Sequence, residues 1–143
     1  MPVARGIGLV LGLVLAGQGK AMDVEVIARG LRNHQGSVLF ALFVEPRGFP
    51  GQGELAAMRV EVPIDAEQVR ARFSDVPDGR ALAVAVLHDE DGDKRMATGL
   101  FGMPREGFGV SNNPRILFGP PRFEDARLVP QPGQPIIIDM KYF

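Results

Sequence analysis

The segment that decides the fold is Val69–His88, which has the sequence VRARFSDVPDGRALAVAVLH. Its first five residues alternate apolar and charged side chains, which is typical of a half-buried strand. Its last eight residues, Ala81–His88, form a short apolar run whose length and β-branched content favour a buried strand. Between them Pro77 fixes its own φ and Gly79 tolerates a positive φ, which indicates a turn. The segment therefore predicts two strands joined as a hairpin.

Further strand patterns lie on both sides of this segment. They are found at Val24–Val26, Ser37–Val44, Val60–Ile64, Phe123–Val129 and Ile136–Tyr142. Gly53–Met58 has good helix formers but is too short for more than about one helical turn. About seven short strands separated by turns predict an all-β fold, a single antiparallel two-sheet β-sandwich of the immunoglobulin-like kind. The segment 89–121 is the exception, and its many apolar residues predict a long structured loop.

The N-terminal 21 residues have the pattern of a secretory signal peptide. Arg5 is followed by an apolar stretch at 6–17, and the small residues Gly19 and Ala21 precede the expected cleavage site. About 12 apolar residues are too few to cross a bilayer, which takes about 20. We therefore expect residues 1–21 to be cleaved and residues 22–143 to form the β-sandwich domain. The protein is then exported, periplasmic or secreted, and has no membrane span after leader removal.

The composition excludes several classes of protein. The formal net charge is −1 and no run of Lys or Arg occurs, so a nucleic-acid partner is not expected. The chain has no cysteine, which excludes thiol catalysis, thiolate metal sites and a disulfide framework. The expected partner is a protein or another extracellular ligand.

An acidic loop directly follows the last strand of the opening segment. Four carboxylates lie within five residues, and they belong to Asp89, Glu90, Asp91 and Asp93. Calcium prefers such oxygen ligands at alternate positions. An EF-hand would need glycine and glutamate where Lys94 and Leu100 stand, so the loop is not an EF-hand. The alternative is a solvated turn in which Asp side chains accept backbone N–H groups, with Lys94 and Arg95 balancing the charge.

Three stretches carry a resemblance to a known family. They are HDEDGD at 88–93, GLFGMPREGFGVSNNP at 99–114 and PRFEDA at 121–126. Together they resemble the bacterial Domain of Unknown Function 2141 family, and the similarity covers essentially the whole mature chain. The resemblance implies an exported β-sandwich of the prealbumin-like type, and it implies no reaction, since the family has no established activity.

The resemblance also bears on the acidic loop. The family's loop typically runs Asp-x-Asn-x-Asn-Gly-Lys-x-Asp, which is similar to calcium-binding turns. Asp89, Asp91 and Asp93 match its first three alternate positions, so the resemblance implies calcium as a candidate cofactor. Lys94 stands in place of the glycine and Ala97 in place of the closing aspartate. One ligand of the family pattern is therefore missing.

Three other polar residues each have a catalytic and a structural interpretation. His88 adjoins Asp89 and could act as a base, although a structural histidine at a strand end is favoured. Glu106 could pair with the acidic loop, as glycoside hydrolysis requires, but hydrogen bonding to the loop backbone is favoured. Ser111 matches only the first half of a nucleophile elbow, so turn chemistry is favoured for it and for Asn112.

The apolar residues of the long loop either line a recognition groove or plug the open end of the sandwich. The leading hypothesis is a non-catalytic binding module whose recognition surface is the loop 89–114. Its candidate contact residues are His88, Phe101, Met103, Glu106, Phe108, Ser111 and Asn112. One alternative is a calcium-stabilised structural module that uses Asp89, Asp91 and Asp93 as ligands. The other is a hydrolase of envelope or extracellular polymer.

Overall fold

The computed structural model describes residues 20–94, 106–116 and 119–143. These residues contain seven strands: β1 (Ala21–Arg29), β2 (Ser37–Phe43), β3 (Met58–Pro63), β4 (Gln68–Pro77), β5 (Ala83–Asp89), β6 (Phe108–Val110) and β7 (Ile136–Asp139). They also contain one α-helix, α1 (Phe123–Ala126), and a 3-10 turn at Gly53–Leu55. Residues 1–19 of the expected signal peptide lie outside the described residues, so its cleavage stays a prediction.

The strands form two sheets, with the orders β4-β1-β7 and β3-β2-β5-β6. The predicted all-β, two-sheet sandwich of about seven strands is confirmed. One pairing departs from the antiparallel expectation, because β7 runs parallel to β1 with Val26 opposite Ile136. Parallel neighbours cannot be joined by a tight turn. β1 and β7 need no tight turn between them, because they are the first and last strands of the described residues and the other strands lie between them in the chain.

The core lies between the sheets and explains the alternation in the sequence. Side chains from both sheets meet there, including Val24, Val26, Val38, Phe40, Leu42, Phe73, Val84, Val86 and Ile138. A second cluster covers the outer face of the four-stranded sheet and comprises Phe43, Ala83, Ala85, Val110, Phe123 and Ala126. Because β5 is covered on both faces, its sequence is apolar without interruption.

The predicted hairpin between β4 and β5 is wrong. β4 pairs with β1, where Val69 lies opposite Ala28, and β5 pairs with β2 in the other sheet. The turn after Pro77 therefore carries the chain from one sheet to the other. The physical reason lies in the outward faces of the strands. Arg72 of β4 forms an ion pair with Asp23 of β1, whereas β5 is apolar on both faces and needs a central position.

Two further local predictions differ from the structure. The predicted strand at Phe123–Val129 is wrong, because α1 begins at Phe123 and only Leu128 forms an isolated bridge, with Leu82. Phe123 and Ala126 are both buried, which is the spacing of a helical turn rather than a strand. The long loop contains β6, which pairs with β5.

No helix of the described residues is long and apolar enough to span a membrane.

Candidate functional site

Four carboxylates converge where β5 ends and β6 begins. One oxygen from each of Asp89, Asp91, Asp93 and Glu106 lies within 4.8 Å of the others. Asp89 is the last residue of β5 and is fully buried, and Glu106 is 4% exposed. Asp91 and Asp93 are exposed. The antiparallel pairing of β5 and β6 brings the two segments together, although 12 residues separate Asp93 from Glu106 in the sequence.

The aspartates also hold the backbone of their own loop. Asp89 accepts hydrogen bonds from the N–H of Gly92 on Oδ1 at 3.1 Å and from the N–H of Lys94 on Oδ2 at 2.9 Å. Asp91 Oδ1 accepts from the N–H of Asp93 at 3.1 Å. Lys94 has a φ of 63°, so it keeps the left-handed conformation that favours glycine. The loop thus retains the turn of the family pattern despite the substitution.

Glu106 joins the group through the same kind of contact. Its Oε2 accepts from the N–H of Glu90 at 2.8 Å and from the N–H of Asp91 at 3.3 Å. The side chain therefore bonds to the loop backbone and lies among the aspartates at the same time.

Glu90 does not belong to the cluster, although the sequence places it among the four acids of the loop. Arg32 binds its carboxylate with Nη2 on Oε1 at 2.7 Å and Nε on Oε2 at 2.9 Å. Asn33 Nδ2 adds a bond to Oε2 at 2.7 Å. These donors, chiefly the Arg32 guanidinium, lower the pKa of Glu90 to about 2. Glu90 thus pairs with Arg32 and Asn33, and Glu106 is the fourth acid of the cluster.

Lys94, a basic residue of the loop, pairs with a carboxylate of the neighbouring strand β3. Lys94 directs its ammonium to Glu61 of β3, with Nζ 3.0 Å from Oε1 and 3.1 Å from Oε2. Arg95 lies outside the described residues. Burial is the main cause that raises the pKa of Asp89 above its ordinary value.

His88 is fully buried and lies apart from the carboxylate oxygens that it adjoins in sequence. Its Nε2 donates a hydrogen bond to the carbonyl oxygen of Gln35 at 2.8 Å, and its Nδ1 is 2.8 Å from the hydroxyl of Tyr142. Both ring nitrogens of His88 thus form hydrogen bonds with groups of the surrounding fold. The hydrolase hypothesis, which needs His88 and Glu106 to face one cleft, stays a prediction.

The remaining candidates of the recognition loop have mostly structural contacts. Ser111 is fully buried, accepts from the N–H of Val84 at 2.9 Å and donates to the carbonyl oxygen of Ala126 at 2.7 Å. Asn112 is exposed, has a φ of 68° and donates to the carbonyl oxygen of Arg127. Phe108 is 9% exposed and stacks on Phe143. The other two candidates, Phe101 and Met103, lie outside the described residues.

The four oxygens lie close enough together to contact one divalent cation such as calcium. Calcium binds oxygens at about 2.3–2.6 Å, so two ligands on opposite sides of the ion lie about 4.6–5.2 Å apart. The limit of 4.8 Å among the four oxygens is within that span. The four acids are hard oxygen donors, and backbone carbonyls and water commonly complete such a coordination shell.

Sequence reasoning missed the residues that surround this site. Arg32, Asn33, Glu61 and Tyr142 carry no local motif, and Arg32 is 58 residues from Glu90. No pattern within a single chain segment could have found them.

Comparison with known proteins gives one match. The family described as "Uncharacterized protein conserved in bacteria (DUF2141)" matches residues 26–136. The matched region includes all four acids of the cluster. No curated protein and no solved structure matches the chain.

Proposed function

This chain belongs to the DUF2141 family of bacterial proteins, and from that premise we propose that it is an exported, non-catalytic binding module that holds a calcium ion. The proposed ligands are Asp89, Asp91, Asp93 and Glu106. The observation that carries the proposal is the convergence of these four carboxylates, two of them buried, from two separate segments of the chain.

The physical support for calcium is electrostatic. Four carboxylates whose oxygens lie within 4.8 Å repel one another when ionised. Burial raises the pKa of Asp89, which means that burial disfavours its charged form, and a nearby cation would favour that form. A divalent ion relieves both costs. Because calcium then binds the folded state and not the unfolded chain, it stabilises the protein by mass action.

The calcium site bears on recognition through its place in the sequence. Asp93 and Glu106 lie on either side of residues 95–105, so an ion between them ties both ends of this segment. Phe101 and Met103 belong to the segment, and their contact with a protein or extracellular ligand stays a prediction. We propose that calcium prepares the loop 89–114 for that partner.

The experiment that tests the calcium site is thermal unfolding of the protein after leader removal, first in excess EDTA and then in millimolar CaCl₂. At a concentration 100 times Kd, calcium adds about 2.7 kcal/mol, which raises Tm by about 10 °C for a domain of this size. The variant Asp91→Asn should lose the increase in Tm, because it lacks the charge of one proposed ligand. Asp91 is exposed, so the substitution leaves the core intact. Asp65→Asn, exposed in the connection between β3 and β4, is the control. An unchanged Tm in the wild-type protein would refute the calcium site.

A further inference from the structure

The strand β1 is paired along its whole length on one side and along only half of it on the other. Toward β4 the pairing runs from Ala21 to Arg29. Toward β7 it begins only at Val26, opposite Ile136, which is the first residue of β7. No described strand pairs with residues 21–25 on this side. These residues therefore border a gap in the three-stranded sheet, the β1 slot, which is about 17 Å long at about 3.4 Å per residue.

Backbone groups of β1 point into the β1 slot. The carbonyl oxygen of Arg29 accepts from the N–H of Met140, which lies on the β7 side. Because backbone N–H and C=O groups point to alternate sides along a strand, the odd-numbered residues of β1 all direct these groups toward β7 or the slot. The N–H groups of Asp23 and Glu25 are thus directed into the slot, and neither bonds to a described residue. The slot presents the unpaired main-chain donors of a sheet edge.

A surface cavity of about 350 Å³ lies at the β1 slot, and it is lined by Asp23, Glu25, Arg72, Gly133, Gln134 and Pro135. Each of its two carboxylates has one oxygen in an ion pair. Arg72 Nη2 lies 2.8 Å from Asp23 Oδ2, and Arg70 Nη1 lies 3.1 Å from Glu25 Oε2. The second oxygen of each carboxylate has no hydrogen bond with a described residue. The outer face of the slot therefore has acceptors for further donor groups.

We propose that the β1 slot binds an extended segment of a partner protein that carries basic residues at alternate positions. The main chain of this segment bonds to the N–H groups of Asp23 and Glu25 and adds a strand in line with β7. Its basic side chains lie beside the two carboxylates, where opposite charges on neighbouring strands stabilise pairing. The exposed ion pairs with Arg70 and Arg72 contribute little, so each carboxylate can accept a second cation. This site lies in the three-stranded sheet and does not depend on calcium.

The test is fluorescence anisotropy of a labelled five-residue peptide that alternates lysine and valine, titrated with the protein after leader removal. We expect saturable binding, and a peptide with glutamate in place of lysine should bind at least about tenfold more weakly. Glu25→Gln should raise the Kd of the lysine peptide about fivefold. Asp139→Asn is the matched control, because Asp139 pairs with Arg29 on the same face but where β7 already covers β1. Its Kd should stay within about twofold of wild type.

Methylation of the peptide backbone separates strand addition from general attraction between charges. One peptide carries N-methyl groups on its lysines and another on its valines, so each lacks the N–H groups of one edge. Because β1 contacts a single edge of an added strand, one peptide should lose binding while the other keeps its Kd within about threefold. Equal Kd values for these two peptides, or equal binding of the glutamate peptide, would overturn the proposal. So would a dimer of the protein that excludes the lysine peptide, since a second copy would then fill the slot.

Discussion

Gly36 is the residue that allows the connection between β1 and β2 to approach the acidic loop. Its φ is 75°, and a Cβ at this position would overlap the carbonyl oxygen of Asp89. The clash is with backbone, so no side-chain movement can relieve it. The site thus requires glycine at position 36 for two reasons, its backbone conformation and its lack of a side chain.

We expect Gly36→Ala to lower the free energy of unfolding by about 3 kcal/mol, the sum of left-handed strain and steric clash. Gly79→Ala is the matched control. Gly79 has a φ of 79°, and a Cβ at this position would have no neighbour within 4 Å, so only the strain of about 1 kcal/mol remains. Urea denaturation measures both values, and equal costs would show that the contact with Asp89 is unimportant.

At the scale of elements, β7 closes the sandwich beside β6. Ile138 of β7 is fully buried, and a Cβ on Gly109 of β6 would lie 2.6 Å from its Cγ2. Asn113, just after β6, accepts from the N–H of Asp139 at 2.8 Å and donates to the carbonyl oxygen of Ile137 at 3.0 Å. The end of the chain therefore joins the two sheets through both packing and hydrogen bonds.

The two faces of β7 should differ sharply in their contribution to stability. Ile138→Ala should lower the free energy of unfolding by about 2–5 kcal/mol, since it leaves a cavity in the core. Ile137→Ala, one residue away and 39% exposed, should cost about 1 kcal/mol or less. Chemical denaturation of both variants tests this. Similar costs would mean that β7 is not held in the register described here.

At the scale of the whole molecule, one polar network links three distant parts of the chain. Arg32 lies after β1, Glu90 after β5 and Tyr142 at the end of the chain, and His88 completes the set. Burial is the main cause that raises the pKa of Tyr142, so its hydroxyl stays protonated and available to His88. Through Glu90, whose pKa is lowered chiefly by Arg32, we expect this network to make stability depend on pH.

Glu90 should make stability fall in acid. Its pKa is about 2 in the folded state, against an ordinary value of 4.5. A carboxylate with a lowered pKa stabilises the fold above pH 4.5, and this contribution is lost as the pH falls towards 2. Allowing for solvent around Arg32, whose side chain is 41% exposed, we expect roughly 2 kcal/mol.

The measurement compares wild type with Glu90→Gln by urea denaturation in calcium-free buffer from pH 6 to pH 3. The stability difference should be roughly 2 kcal/mol at pH 6 and should fall below about 1 kcal/mol at pH 3. A difference that does not change with pH would show that the ion pair with Arg32 is not responsible.

The sequence by itself determined most of the strands and the acidic character of the loop after β5, but it gave neither β6 nor the helical turn at Phe123–Ala126. In β1 and β4 one face is buried and the other is solvated, which imposes a period of two that can be seen in the residues. The spacing of Asp89, Asp91 and Asp93 is equally local. Ser111 and Asn112 do lie in a turn, as the sequence indicated, but their side chains bond to backbone groups distant in sequence, at Val84, Ala126 and Arg127.

Only the tertiary structure decided which strands pair and which acids meet. It placed β4 and β5 in different sheets. It also showed that the acid beside Asp89, Asp91 and Asp93 is Glu106 and not Glu90. The physical reason is that these outcomes depend on contacts between residues far apart in sequence, such as Arg32 and Glu90, 58 residues apart. Alternation of side chains records whether a residue is buried, but it does not record the partner against which it is buried.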